Sequence, residues 1–189
     1  RLMYLTEKLT EAVHLSGTPR ITIKLASNKP TANLSIWLVS LPWNGNKNAK
    51  ITDNIITRGW ADPQNHRSLT ESEPLVPGRF YDMTFDLQPD DQVIPVGQQI
   101  GLMIMSSDRE FTLRPDPGTE LAIDLDETSI QLPLVGGAKA FAKAVTKKAS
   151  KKKVKSKKTT SSTVSNSVSY VVKDTARGEL HYANANGEA

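Results

Sequence analysis

The chain has 189 residues, 38% of them hydrophobic and 23% charged, with no cysteine, which is enough for one folded domain and a tail and excludes disulfides and thiolate metal sites. The net charge of +4 divides unevenly: residues 1–137 carry 12 Lys and Arg against 17 Asp and Glu (net −5), and residues 138–189 carry 12 against 3 (net +9). An electrostatic argument for an anionic partner therefore applies to the tail alone.

In chain order, Leu2 to Leu5 is a short apolar run that reads as a first strand or as the joint to an upstream domain. Ala12 to Leu15 is a second, ended by Ser16-Gly17-Thr18-Pro19. Arg20 to Ala26 alternates, with Ile21, Ile23 and Leu25 on one face and Thr22 and Lys24 on the other, the period of a strand with one wet face. Asn28-Lys29-Pro30 is a turn. Asn33 to Leu41 is apolar on both faces, Leu34, Ile36 and Leu38 against Trp37, Val39 and Leu41, as expected at the centre of a sheet. Mid-strand Trp37 reads most simply as core.

A loop over Pro42 to Lys50 contains the turn pair Asn44-Gly45, and Ile51 to Trp60 reads as a strand in which Gly59 marks a bulge or a close backbone approach. Asp62 to Glu73 is a long polar surface connection. After the Pro77-Gly78 turn comes an alternating strand, Phe80, Asp82, Thr84 and Asp86 against Tyr81, Met83, Phe85 and Leu87. A polar connection from Gln88 to Gln92 follows, then the turn Pro95-Val96-Gly97 and the unbroken apolar run Ile100 to Met105, which is expected to be buried on both sides. Phe111 to Leu113, Glu120 to Leu125 and Ser129 to Leu134 are further short strands. About nine strands punctuated by Gly, Pro and Asn, with no convincing amphipathic helix, give an all-β, two-sheet β-sandwich over residues 1–137.

Val135-Gly136-Gly137 ends that unit. Residues 138–169 read as a linker, first Ala/Lys and then Ser/Thr-rich. Alanine and lysine favour a transient helix near Ala138 to Val145, and the eight lysines from Lys147 to Lys158 repel one another and disfavour packing. In the final segment, 170–189, Tyr170-Val171-Val172 and Glu179 to Tyr182 are weak apolar patches suited to a small hairpin.

The order from Pro74 to Asp108, namely turn, strand ending in Asp86-Leu87, acidic spacer, Pro95-Val96-Gly97, apolar strand and Ser106-Ser107-Asp108, resembles the C-terminal domain of the Xaa-Pro dipeptidyl-peptidase and cocaine-esterase family of serine hydrolases. The resemblance runs from Arg1 to Gly137. It implies a jelly-roll, galactose-binding-like sandwich that follows an α/β-hydrolase domain, with the catalytic triad in that upstream domain, so no catalytic residue carries over to this chain.

The residues themselves agree with that negative. The nucleophile elbow Gly-x-Ser-x-Gly does not occur. Of the three histidines, His14 falls in a strand, His181 in the tail and His66 in a polar loop beside Asp62 and Ser68, a sequence neighbourhood that a solvated loop explains without catalysis. Asp90-Asp91 and Asp124-Leu125-Asp126-Glu127 offer hard oxygens, yet calcium wants six to eight of them, usually from several loops. No metal and no cofactor is assigned.

The reading is a non-catalytic module, inactive on its own. It packs on the upstream hydrolase domain and shapes that domain's cleft for release of Xaa-Pro dipeptides or for ester or acyl hydrolysis. Trp43 and Trp60, with His66 and Arg67 in the 62–73 loop, are the candidate interface or ligand-facing residues. The alternative is a stand-alone carbohydrate- or cell-wall-binding sandwich with an anion-binding basic tail. Lys147 to Lys158 has no interleaved aromatic for base stacking, so no specific nucleic acid is expected, and no apolar run reaches the roughly 18 residues of a membrane span. A chain opening at Arg1 without methionine reads as a fragment or processed product, any export signal lying upstream. A Lys/Ser/Thr-rich tail suits an exported bacterial protein beside an anionic wall, although intracellular peptidases of this kind exist too.

Overall fold

The computed structural model describes residues 1–108, 110–145 and 179–181. Its strands are β1 (Leu2–Leu5), β2 (Val13–Gly17), β3 (Arg20–Ser27), β4 (Leu34–Leu41), β5 (Ile55–Ala61), β6 (Phe80–Asp86), β7 (Asp90–Ile94), β8 (Gln99–Met105), β9 (Leu121–Pro133) and β10 (Glu179–His181). One helix, α1 (Gly137–Val145), lies between the last two. They form two four-stranded sheets, β1-β8-β4-β5 and β10-β9-β3-β6, and a two-stranded ribbon, β2-β7. Every pairing is antiparallel. The pairs β1·β8, β2·β7, β3·β6 and β4·β5 nest one inside the next, as in a single long hairpin folded over on itself.

Alternation decides which side chains meet. Ile21, Ile23 and Leu25 of β3 are fully buried, as are Leu34, Ile36 and Leu38 of β4, and they join one core with Met83, Ile100, Ile104, Ile130 and Leu132. The two sheets therefore pack face to face, the all-β sandwich expected from the strand pattern. β4 and β8, apolar on both faces, lie side by side at the centre of their sheet. Gly59 is a close approach: a Cβ there would meet Leu87 side-chain and backbone atoms at 3.0–3.2 Å. The bulge in the β4·β5 pair sits instead opposite Leu38 and Val39.

Four local expectations change, each for a polar reason. Residues 51–54 form a short 3-10 turn rather than the start of a strand. Asp53 accepts the Lys50 N–H at 3.0 Å, and Asn54 both accepts the Asn44 N–H and donates to the Ser40 carbonyl. The 88–92 connection contains most of β7, whose polar residues suit a ribbon that pairs only with β2. Glu120 to Leu125 and Ser129 to Leu134 are one strand, β9, interrupted where the register passes from Thr22↔Ser129 to Lys24↔Asp124. Buried Thr128 bridges the interruption by donating to the Asp124 carbonyl at 2.6 Å and accepting the Lys24 N–H at 3.3 Å, a broad β-bulge. Phe111 to Leu113 is a turn, since the Asp108 carbonyl accepts the N–H groups of Phe111 and Thr112, local bonding that outcompetes a ladder.

α1 carries the packed unit to Val145, eight residues past the boundary drawn at Gly137. Ala138, Phe141 and Ala144 recur on one face at helical spacing, and all three are buried in the core. Its C-terminal end is held by Thr10, whose N–H and hydroxyl both donate to the Ala144 carbonyl, and by Lys143, which meets Glu11 at 2.8 Å. β10 pairs with β9 through Glu179↔Pro133 and His181↔Gln131. The remaining linker, with Lys147 to Lys158, and the Tyr170-Val171-Val172 patch lie outside the described residues.

Candidate functional site

The outer face of the sheet β1-β8-β4-β5 is not finished with charged side chains. Register places Trp37 of β4 beside Met103 of β8 on one side and Arg58 of β5 on the other, with Trp60 two residues further along β5. Trp37 is thus on the outer face rather than in the core, and it is half-buried. Asp108, just past β8 and only 5% exposed, accepts both indole N–H groups on one carboxylate oxygen, Trp37 at 2.8 Å and Trp60 at 3.1 Å. The turn that Asp108 opens brings Phe111 over the cluster, its ring centroid 5.2 Å from that of Trp60.

Arg58 enters from the side. Its guanidinium carbon lies 4.8 Å from the Trp37 ring centroid and 4.8 Å from that of Phe111. Rings on both sides hold a flat cation well, since the ring faces are negative and guanidinium is weakly hydrated. Asp108 spends its carboxylate on the two tryptophans, and Arg58 has no acidic partner within 4.0 Å among the described residues. Its Nε is buried without an acceptor.

Of the residues singled out from sequence, Trp60 belongs to this cluster. Trp43 does not: Trp60 pairs with Ser35 at the start of β4, whereas Trp43 follows the end of β4 at Leu41, so the two mark opposite ends of the strand. Trp43, 39% exposed, lines an open groove of about 380 Å³ with Asn44, Asp53, Gln92 and Gln98. His66 packs against Tyr81, centroids 4.5 Å apart, and its Nδ1 lies 3.3 Å from the Pro63 carbonyl. Arg67 is exposed and reaches Glu73 at 3.5 Å.

The loop trio does not assemble: Asp62 accepts the N–H of Gln64 and Ser68 pairs with Thr70, while His66 faces Tyr81. Among the described residues no group of three His, Asp or Glu is placed to hold a metal. The acidic run in β9 is partly neutralised within the chain, Lys24 lying 2.9 Å from Glu127 and 4.0 Å from Asp124. His14 is an edge-ribbon residue whose Nε2 lies 2.5 Å from Asp91, and that hydrogen bond holds the Asp91 carboxyl below its ordinary range. No helix among the described residues is long and apolar enough to cross a membrane.

Arg58, Asp108 and Phe111 were missed in the sequence. The available signals were Arg58 and Trp60 on one face of β5 at strand spacing, and the aspartate that closes Ser106-Ser107-Asp108.

The described residues thus form a β-sandwich with an aromatic and cationic cluster on the outer face of one sheet. Residues 1–166 match the family model described as the X-Pro dipeptidyl-peptidase C-terminal non-catalytic domain. The chain belongs to that family. It is 71% identical over 137 residues to a protein of Rhodopirellula baltica described as an Xaa-Pro dipeptidyl-peptidase, covering 72% of this chain and 22% of that protein. It is 41% identical over 135 residues to a protein of Bacillus anthracis described in the same way, covering 71% and 21%. The chain thus spans about a fifth of the length of these curated relatives.

Among solved structures, an α-amino acid ester hydrolase is similar with a TM-score of 0.59 at 18% identity, over 71% of this chain and 25% of that one. A CocE/NonD family hydrolase from Staphylococcus aureus is similar with a TM-score of 0.53 at 11% identity, over 71% and 30%. At these identities the likeness is one of fold.

Proposed function

We propose that this chain is the accessory β-sandwich of a serine hydrolase that releases Xaa-Pro dipeptides or cleaves related esters. In this reading the bond-breaking residues belong to an upstream α/β-hydrolase domain, and the sandwich packs on that domain and shapes its cleft. Trp43, Trp60 and the 62–73 loop with His66 and Arg67 are proposed to face it. The observation that carries the reading is the match of residues 1–166 to a non-catalytic C-terminal domain, in a chain that covers about a fifth of the length of its relatives. The nested strand pairs support reading the sandwich as a jelly roll. Large apolar side chains left exposed in two loops at one end, Leu69 at 91% and Leu113 at 87%, support packing against another body.

The test is hydrolysis of a chromogenic Xaa-Pro substrate by this chain alone and by the full-length enzyme that carries it. Turnover is expected only in the second, together with a single cooperative melting transition. Turnover by this chain that an active-serine reagent abolishes overturns the reading. The groove beside Trp43 favours one other reading, glycan binding, since an exposed indole with amide and carboxylate groups around it suits a sugar ring. Retention on cell-wall polysaccharide that Trp43→Ala removes would select that reading over the first.

A further inference from the structure

Surface arginines ordinarily find a carboxylate or point into water. Arg20 takes the first course, meeting Asp86 through two bonds of 2.5 and 2.9 Å, and Arg67 reaches Glu73. Arg58 takes neither. Its Nε is withdrawn from water with no acceptor among the described residues, and its guanidinium carbon lies 4.8 Å from the ring centroids of both Trp37 and Phe111. The one carboxylate that belongs to the cluster, Asp108, is engaged by two indoles. Withdrawing a cation from water without a counter-ion is costly. A carboxylate that arrives supplies the missing counter-charge, and a guanidinium can take it through two parallel bonds.

We propose that Arg58 is the docking arginine of this module, taking an acidic side chain from the surface of the upstream domain against which the outer face of β1-β8-β4-β5 packs. The inference rests on the proposed reading that such a domain is present. It names a contact residue that sequence reasoning did not reach and the chemistry of its partner. Two observations commit it to that occupant. The charge without a carboxylate partner among the described residues is positive, so the partner is an anion, and the match spans only 22% of the length of the 71%-identical relative, most of which is therefore other polypeptide. Phe111, 52% exposed, supplies apolar surface beside the guanidinium, which suits a protein surface.

The experiment compares the isolated chain with the full-length enzyme. Each is treated with phenylglyoxal and the arginines are read by peptide mass spectrometry, with Arg20, already paired with Asp86, as internal control. Arg58 is expected to react in the isolated chain and at least about tenfold more slowly in the full enzyme, as for a cation that is paired and desolvated. Calorimetry of full-length Arg58→Gln is expected to split the single transition in two, the lower matching the isolated chain. Arg58→Lys, which keeps the charge but not the planar fork, is expected to fall between. Near-UV circular dichroism of the isolated Arg58→Gln chain checks that its tryptophan cluster is intact.

Equal reactivity of Arg58 in both proteins, with the full enzyme melting as one unit, overturns the inference and leaves the module reading standing. Two independent transitions in the unmutated enzyme overturn the module reading itself. Self-association of the isolated chain that Arg58→Gln abolishes assigns the face to a second copy, and overturns the inference as stated.

Discussion

On the outer face of β9-β3-β6 both basic side chains of β3 meet a carboxylate. On the outer face of β1-β8-β4-β5 a carboxylate is given to two indoles, and a guanidinium has none within 4.0 Å among the described residues. In the first sheet Arg20 meets Asp86, Lys24 meets Glu127, and Thr22 and Thr84 share a hydroxyl contact at 3.0 Å. These are cross-strand neighbours or bulge residues at least partly open to solvent, where ion pairs contribute little and are screened by salt. In the second sheet Val39 and Ser35 are fully buried although they sit on the outer face, and Trp37 is half-buried. One exterior is complete as it stands, and the other is organised around groups that still want a partner.

The sharpest way to break that contrast is to remove Asp108. Asp108→Ala leaves both indole N–H groups without their acceptor while the backbone bonds of the turn that carries Phe111 remain, and the expected cost is about 3 kcal/mol. Asp108→Asn keeps one acceptor oxygen and is expected to cost about 1 kcal/mol. Urea denaturation followed by tryptophan emission measures both. A loss for Asp108→Ala no larger than that of a surface ion pair would mean that the cluster is as dispensable as the opposite face.

A smaller effect is expected at Gly101, where the same face is closest-packed. A Cβ there would meet Val39 Cγ2 at 2.9 Å and Leu5 Cδ2 at 3.0 Å. Val39 is β-branched and buried, so it cannot swing aside. Gly101→Ala is expected to destabilise by about 1 kcal/mol, the overlap outweighing the backbone-entropy gain. Adding Val39→Ala should recover part of that in a double-mutant cycle. Strict additivity of the two changes would show that the face is looser than these distances imply.

The sequence disclosed these two faces unequally. Along β3 the alternation of Ile21, Ile23 and Leu25 with Thr22 and Lys24 reads directly as inside and outside, because one face of that sheet meets water. Along β4 and β8 both faces are apolar, and periodicity distinguishes inner from outer only when one of them is polar. That is why mid-strand Trp37 read as core, and why Arg58, separated from Asp108 by fifty residues, joined no motif. Trp60 was legible as an aromatic at a strand end. What it bonds to depends on the register of β4 with β5 and β8, which local sequence does not specify. The strand interruption at Thr128 and the turn at Asp108 were hidden for a related reason: a side-chain hydroxyl or a backbone carbonyl takes over bonds that a ladder would otherwise make. Helix α1 was half-seen. Alanine and lysine announced the helix, but its burial hangs on Phe141, a single aromatic in a segment whose composition otherwise reads as linker.

The finest test concerns the paired face and its response to pH and salt. The Asp86 carboxyl is held below its ordinary value of 3.8, chiefly by the hydrogen bond from Arg20, with burial opposing and the charge of that guanidinium assisting by less. A carboxyl lowered in the folded state stabilises above its unfolded value and loses that contribution as pH falls through the lowered one. Lys24 is raised above 10.5, first by its hydrogen bond to Glu127. A raised cation stabilises below its unfolded value and loses the contribution as pH climbs through the folded one. The paired face should therefore weaken at both extremes and stay flat between them. Asp86→Asn is expected to cost at most about 0.5 kcal/mol at neutral pH and low salt, since both partners are about half exposed. The deficit should vanish in 1 M salt and below the lowered carboxyl value. The Asp108→Ala deficit, at a residue only 5% exposed, should survive the same salt. Urea midpoints of both variants at low and high salt decide it: an Asp86→Asn deficit that persists in 1 M salt would mean the paired face carries more of the stability than solvent-exposed ion pairs can.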